Sequence, residues 1–209
     1  MPEYSIVQWN EDNLYSESPY VKAAYQKKSY AFVADYMRLW ALYNEGGIYM
    51  DTDVKMVKPF DDLLGEKIFL GRQSPTSVGV GVIGATKGHP FLKRIMDSLD
   101  AEAMSGRITF MPLPELVDSL LASSGNEDIT ILPEDCCYPY NPYSPEVIRR
   151  KPLLSNMSDK TICVHHWEGS WLGEISLKTM LHLRIRHTIG KAKAKAKAKV
   201  RTLSFRRST

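Results

Sequence analysis

The stretch YAFVADYMRLWALYNEGGIYMDTDVKMVK, Tyr30 to Lys58, decides how this 209-residue chain is read. Phe32, Tyr36, Leu39, Trp40 and Tyr43 recur at helical spacing and form an apolar stripe for a core. Asp35 and Arg38 lie three apart off that stripe, neighbours on another face of the same helix. Gly46 and Gly47 stop the helix, because glycine accepts the left-handed geometry of a C-terminal cap. From Ile48 the period changes to two, which predicts a strand from Ile48 to Met56. On that strand Ile48, Met50, Thr52 and Val54 face one way, and Tyr49, Asp51 and Asp53 the other. Two carboxylates on one strand face repel each other unless a cation lies between them, so Asp51 and Asp53 are candidate ligands of a divalent metal. A D-T-D triplet is also what an ordinary turn supplies. A turn needs neither the Asp-x-x-Arg pair nor the double glycine ahead of it.

Outward from this stretch, strands and helices alternate. Ser5 to Trp9 reads as a strand and Pro19 to Gln26 as a short helix, followed by the long helix Tyr30 to Glu45. Pro59 to Leu64 is a turn into a helical start; Lys67 to Gly71 and Val78 to Ala85 are strands, the second rich in glycine (Gly79, Gly81, Gly84). Phe91 to Ser105 and Pro114 to Ser123 are helices, Ile129 to Leu132 a strand and Cys137 to Pro145 a Pro/Tyr loop. Thr161 to His166 is a late strand, and Leu177 to Thr188 a closing helix. His89 falls at a helix entry, and Glu115 is a first-turn acid favoured by the helix dipole. This alternation predicts an α/β sandwich.

Composition fits one globular domain over residues 1–188, with a hydrophobic content of 44% and no apolar run long enough to span a bilayer. The N-terminus lacks the basic start and apolar core of a signal peptide. Cys136, Cys137 and Cys163 have no metal-ligand spacing and read as reduced thiols, which gives a cytoplasmic expectation. The net charge of +3 hides a division: Arg184 to Arg207 holds ten Lys or Arg, and the 17 basic residues left against 24 acidic ones put the rest near −7. Residues 189–209 include the alternating Lys-Ala run Lys191 to Lys199, which cannot make an amphipathic helix and reads as a disordered basic tail. Three readings of it stay open. It is solvated, or it contacts an anionic membrane at about 1 kcal/mol per basic residue, or it binds nucleic acid. The last is opposed by the lack of aromatic residues within the Lys-Ala run.

The run AFVADYMRLWALYNEGGIYMDTDVKMVKPFDDLL resembles the DXD sugar-binding region of glycosyltransferase family 32. That group includes bacterial capsular-polysaccharide transferases and the yeast initiating mannosyltransferase, with the large clostridial glucosylating toxins as more distant relatives. The resemblance extends to WNEDN (Trp9 to Asn13), PYVKAAY (Pro19 to Tyr25), GATKGHPFL (Gly84 to Leu92) and VHHWEGSW (Val164 to Trp171). It implies the A-type glycosyltransferase fold, with a mainly parallel sheet and the DXD at the end of a central strand, where ligands belong. It further implies transfer of a hexose from a nucleoside diphosphate sugar to a saccharide or lipid-linked acceptor, as in capsular polysaccharide synthesis, with retention of anomeric configuration and a Mn²⁺ or Mg²⁺ cofactor. Asp53 would bind the metal directly. Asp51 would bind it directly or through water while touching the ribose, and the two are the catalytic pair. Asp35, Arg38 and Tyr49 would hold the donor. One of His165 and His166, with His165 preferred, would complete the metal shell, and Ser170 and Trp171 would contact or cover the diphosphate. Such proteins usually begin with a strand of the type I-P-K-I-I-H-x-x-W upstream of the WNEDN element. Its absence ahead of Ser5 leaves open a second reading: a truncated, catalytically compromised remnant or a non-enzymatic sugar-nucleotide-binding domain.

Overall fold

A computed structural model describes residues 4–10, 12–13, 15, 17–106, 108–123, 128–142 and 156–167, all within the compact unit Met1–Glu168. The expected closing helix, the basic tail, Ser170 and Trp171 lie outside the described residues. The elements run α1 (Pro19–Gln26), α2 (Tyr30–Glu45), β1 (Gly47–Met50), β2 (Val54–Met56), β3 (Ile68–Ser74), β4 (Ser77–Ala85), α3 (Pro90–Met104), α4 (Leu113–Ala122), β5 (Ile129–Leu132), α5 (Glu134–Cys137) and β6 (Cys163–His165). A single 3₁₀ turn, Asp61–Leu63, follows β2.

Local chemistry explains the helices. Ser18 caps α1 by accepting from Val21 N–H at 3.2 Å, with Pro19 at the first helical position. Gly46 ends α2 at φ 73°, where its N–H still reaches Leu42 O at 2.9 Å. A side chain there would meet Lys87 N at 2.9 Å, so glycine is required twice over. The buried face of α2 is Val33, Tyr36, Met37, Arg38, Leu39, Ala41 and Leu42; Phe32, Trp40 and Tyr43 of the expected stripe are half-buried at its margin. His89 caps α3, its Nδ1 accepting from Phe91 N–H at 3.2 Å.

The class is α/β, a sheet flanked by helices, and the expected sheet directions need correction. The larger sheet has the order β1-β4-β3-β5, in which β1·β4 and β3·β4 are antiparallel and only β3·β5 is parallel. Among the described residues the sheet is therefore mainly antiparallel rather than parallel. The physical reason is the link Pro75-Thr76: two residues between β3 and β4 permit a hairpin and nothing else.

The segment from Ser5 to Trp9, expected as a strand, forms no ladder among the described residues. Ile6 and Val7 face solvent, and only Trp9 packs, edge-on against Trp40 with ring centroids 5.5 Å apart. The expected strand from Ile48 to Met56 is likewise two strands in different sheets. Asp51 N–H still bonds Gly81 O at 2.8 Å, and then Val54 N–H closes a turn onto Asp51 O at 3.0 Å. Past the turn, β2 leaves the sheet and pairs antiparallel with β6, with Val54 opposite His165.

Candidate active site

The turn solves a problem that alternation alone would have solved differently. A hinge between two sheets lets Asp51 and Asp53 aim at one point, and pairing of Val54 with His165 brings in a third group from more than a hundred residues away. His165 Nε2 stands 3.5 Å from Asp51 Oδ2 and 3.4 Å from Asp53 Oδ1. Ligand atoms of Asp51, Asp53 and His165 all lie within 4.8 Å of one another. The side chain of His166 is exposed, and its main-chain N–H bonds Asp53 O at 2.9 Å. Successive residues of a strand face opposite ways, so only one of the two histidines joins the carboxylates.

The floor of this cluster is Gly81 on β4. A Cβ built there would sit 2.7 Å from Asp51 Oδ2 and 2.8 Å from the His165 ring. Glycine thus leaves the room into which the carboxylates and imidazole converge. The donor set, two carboxylates and one imidazole, suits a divalent cation and converges beside a cradle that any side chain would fill.

On the other side of Asp51 the α2 pair takes hold. Arg38 reaches Asp35 Oδ1 at 2.9 Å through Nη2, and through Nη1 both Asp51 Oδ1 at 3.0 Å and Val80 O at 2.9 Å. Its guanidinium lies 4.6 Å from the centre of the Tyr49 ring, and the Tyr49 hydroxyl donates to Asp51 Oδ1 at 2.8 Å. Arg38 is 7% exposed, yet its Nε–H is buried without a hydrogen-bond partner. Burial raises the Asp35 carboxyl above its ordinary range, partly offset by Arg38 and reinforced by the Asp51 charge. Burial also raises Asp51, but the His165 hydrogen bond, the Arg38 charge and the Tyr49 hydroxyl outweigh it and hold Asp51 below its ordinary value. Burial would lower Arg38, and Asp35, Tyr49 and Asp51 more than restore it.

A cavity of about 310 Å³ opens beside these residues, and Trp9, Asn10, Tyr25, Tyr30, Arg38 and Tyr49 are in its lining. The expected residues Asp35, Arg38, Tyr49, Asp51, Asp53 and His165 are therefore brought together. Ser170 and Trp171 lie outside the described residues.

Sequence reading missed Gly81, although the glycine-rich strand that holds it was visible. It also missed Trp167, at φ 59°, whose main-chain N–H donates to His165 Nδ1 at 3.1 Å and whose indole N–H donates to Tyr140 O at 2.6 Å. Tyr138, whose hydroxyl accepts from Val82 N–H at 3.0 Å and whose ring covers Gly79, is a third. Only a register between β2 and β6 could have flagged Trp167.

Part of the chain is similar in sequence to known proteins. Residues 1–70 match the family described as "Glycosyltransferase sugar-binding region containing DXD motif". Inositol phosphoceramide mannosyltransferase 3 of Schizosaccharomyces pombe is 30% identical over 115 residues, 53% of this chain and 32% of that protein. Mannosyl phosphorylinositol ceramide synthase CSH1 of Saccharomyces cerevisiae is 29% identical over 117 residues, 54% of this chain and 31% of that protein. A human alpha-1,4-N-acetylglucosaminyltransferase is 31% identical over 108 residues, 52% of this chain and 30% of that protein. The chain thus spans about a third of the length of the curated relatives it matches. A solved structure, the PaToxG glycosyltransferase, aligns with a TM-score of 0.43 and 26% identity over 51% of this chain and 41% of that one. Asp51 and Asp53 stand as a D-x-D pair inside residues 1–70, the part of the chain that is similar to this glycosyltransferase sugar-binding region.

Proposed function

We propose that the chain is a metal-dependent glycosyltransferase that moves a hexose from a nucleoside diphosphate sugar to a saccharide or lipid-linked acceptor. The observation that carries this is the convergence of Asp51, Asp53 and His165 beside a cavity lined by a buried arginine. Asp51, Asp53 and His165 would hold Mn²⁺ or Mg²⁺. Bound there, the cation would neutralise the charge that builds on a departing diphosphate.

The chain's own residues supply the rest. Arg38, held by Asp35 and Asp51, lines the cavity and brings a fixed positive charge to the place where a phosphate or sugar hydroxyl would lie. Asp35 fixes the guanidinium and offers its remaining lone pairs to sugar hydroxyls. Trp9, Tyr25, Tyr30 and Tyr49 give the cavity aromatic faces on which a nucleobase can stack, and Asn10 supplies an amide for its edge. Because two of the relatives are named for mannosyl transfer to inositol phosphoceramides, mannose and a phosphoinositol lipid are the first donor sugar and acceptor to test.

The test is calorimetry of GDP-mannose and UDP-hexoses with the full chain, with and without Mn²⁺. Metal-dependent binding is expected, and it should be lost in the Asp51→Asn, Asp53→Asn double variant. Equal binding by that variant would overturn the reading. Release of free hexose from the bound donor would separate an active enzyme from a binding remnant.

A further inference from the structure

We propose that Trp167 positions His165 through a cation-operated latch. Its main-chain N–H holds the ring in the Nε2-protonated form while no cation is bound, and ligation at Nε2 releases that bond. The inference rests on the cation site proposed above and concerns how that site is switched.

A neutral imidazole has one donor nitrogen and one acceptor nitrogen. Trp167 N–H donates to Nδ1 at 3.1 Å, so Nδ1 is the acceptor and the ring proton sits on Nε2. That proton points at Asp51 Oδ2 and Asp53 Oδ1, 3.5 Å and 3.4 Å away. In this form His165 is a donor to the two carboxylates and supplies a fraction of the positive charge that a cation would bring. It offers no lone pair to a metal. To ligate through Nε2 while staying neutral, the ring must carry its proton on Nδ1. Nδ1–H and Trp167 N–H would then be two donors facing each other at a hydrogen-bond distance, and residue 167 must turn away.

The conformation of Trp167 is what such a latch needs. Its φ of 59° is left-handed, a region that a tryptophan occupies only when its surroundings hold it there. Both ends of the residue are tied: the indole N–H donates to Tyr140 O at 2.6 Å, and the indole stands edge-on to the His165 ring with centroids 4.5 Å apart. Loss of the bond to Nδ1 removes one of these ties, so cation binding at the carboxylates is transmitted to the main chain at residue 167.

The experiment is nuclear magnetic resonance of the full chain with isotope-labelled histidine nitrogens, before and after saturation with diamagnetic Mg²⁺. His165 is assigned from the signal lost in His165→Gln, and Mg²⁺ binding is read separately by calorimetry. Without cation, the His165 proton should be on Nε2 and Nδ1 should show the shift of an unprotonated acceptor. With Mg²⁺, the proton should move to Nδ1, and the Trp167 amide signal should shift with the same apparent affinity. An Nδ1-protonated ring in the cation-free protein would overturn the latch, as would Mg²⁺ binding with an unchanged tautomer. A structural role alone would leave the tautomer unmoved. Absence of any Mg²⁺ or Mn²⁺ binding would overturn the cation site itself, and the latch with it.

Discussion

Arg38→Met should destabilise the fold by an amount that grows with pH. Methionine keeps most of the apolar stem of Arg38 but deletes the guanidinium. Three contacts go with it: Asp35 at 2.9 Å, Asp51 at 3.0 Å and Val80 O at 2.9 Å. Asp51 keeps Tyr49 and His165, whereas Asp35, with a side chain 17% exposed, loses its counter-charge. Leaving a buried charge alone costs about 3–5 kcal/mol, and with some solvent access to Asp35 the low end, about 3 kcal/mol, is expected at neutral pH. Asp35 is already raised above its ordinary value near 3.8 in the folded protein, and removing Arg38 raises it further. A carboxyl raised by folding binds its proton more tightly in the native state, so stability falls as pH rises from the unfolded toward the folded pKa. Below that window Asp35 is neutral in both states, and the cost shrinks to lost hydrogen bonds, about 1 kcal/mol.

Urea unfolding followed by tryptophan fluorescence, in EDTA at pH 3 and pH 7.5, measures both values. Adding Asp35→Asn to Arg38→Met should recover roughly half of the neutral-pH loss, since the stranded charge is then gone. A destabilisation equal at the two pH values, or no recovery in the double variant, would refute the reasoning.

Gly81→Ala places a methyl 2.7 Å from Asp51 Oδ2 and should weaken Mn²⁺ binding by roughly 10–100-fold in calorimetry, the scale of disturbances around metal ligands. Its unfolding midpoint should move little by comparison. Gly84→Ala makes the opposite contrast: the new methyl would stand 2.0 Å from the Phe69 ring, deep in the sheet, and should cost about 2 kcal/mol in urea unfolding. Phe69→Leu in the same chain should recover part of that loss. Asp100→Ala removes one acceptor shared by Ser18 Oγ (2.5 Å), Tyr36 OH (2.7 Å) and Tyr20 N–H (3.3 Å), which ties α1 and α2 to α3. About 2 kcal/mol of stability should go with it, with donor binding retained once the protein is folded.

The helices were legible because their causes are local. Pro19–Gln26 and Tyr30–Glu45 fall where a capping serine, a proline, an apolar period and a glycine stop put them, all within a few residues of one another. So was the chemical character of Asp35, Arg38, Asp51 and Asp53, which depends on residue type and short spacing. Sheet direction was not read correctly for two reasons: β3 and β4 form a local hairpin through Pro75-Thr76 that alternation of strands and helices does not announce, and the antiparallel pairing of β1 with β4 joins segments separated in the chain.

The period-two pattern after Gly47 placed the two carboxylates on one side, but it could not show that the ladder stops at Asp51 and resumes in another sheet. Tertiary structure alone decided which histidine meets them, since Val54 pairs with His165 across more than a hundred residues. It also decided what glycine at 81 is for. That glycine says nothing about Asp51 until β1 and β6 close over it and leave no room for a side chain. Side-chain chemistry is written residue by residue, whereas a site is a set of distances, and distances between remote segments exist only once the chain has packed.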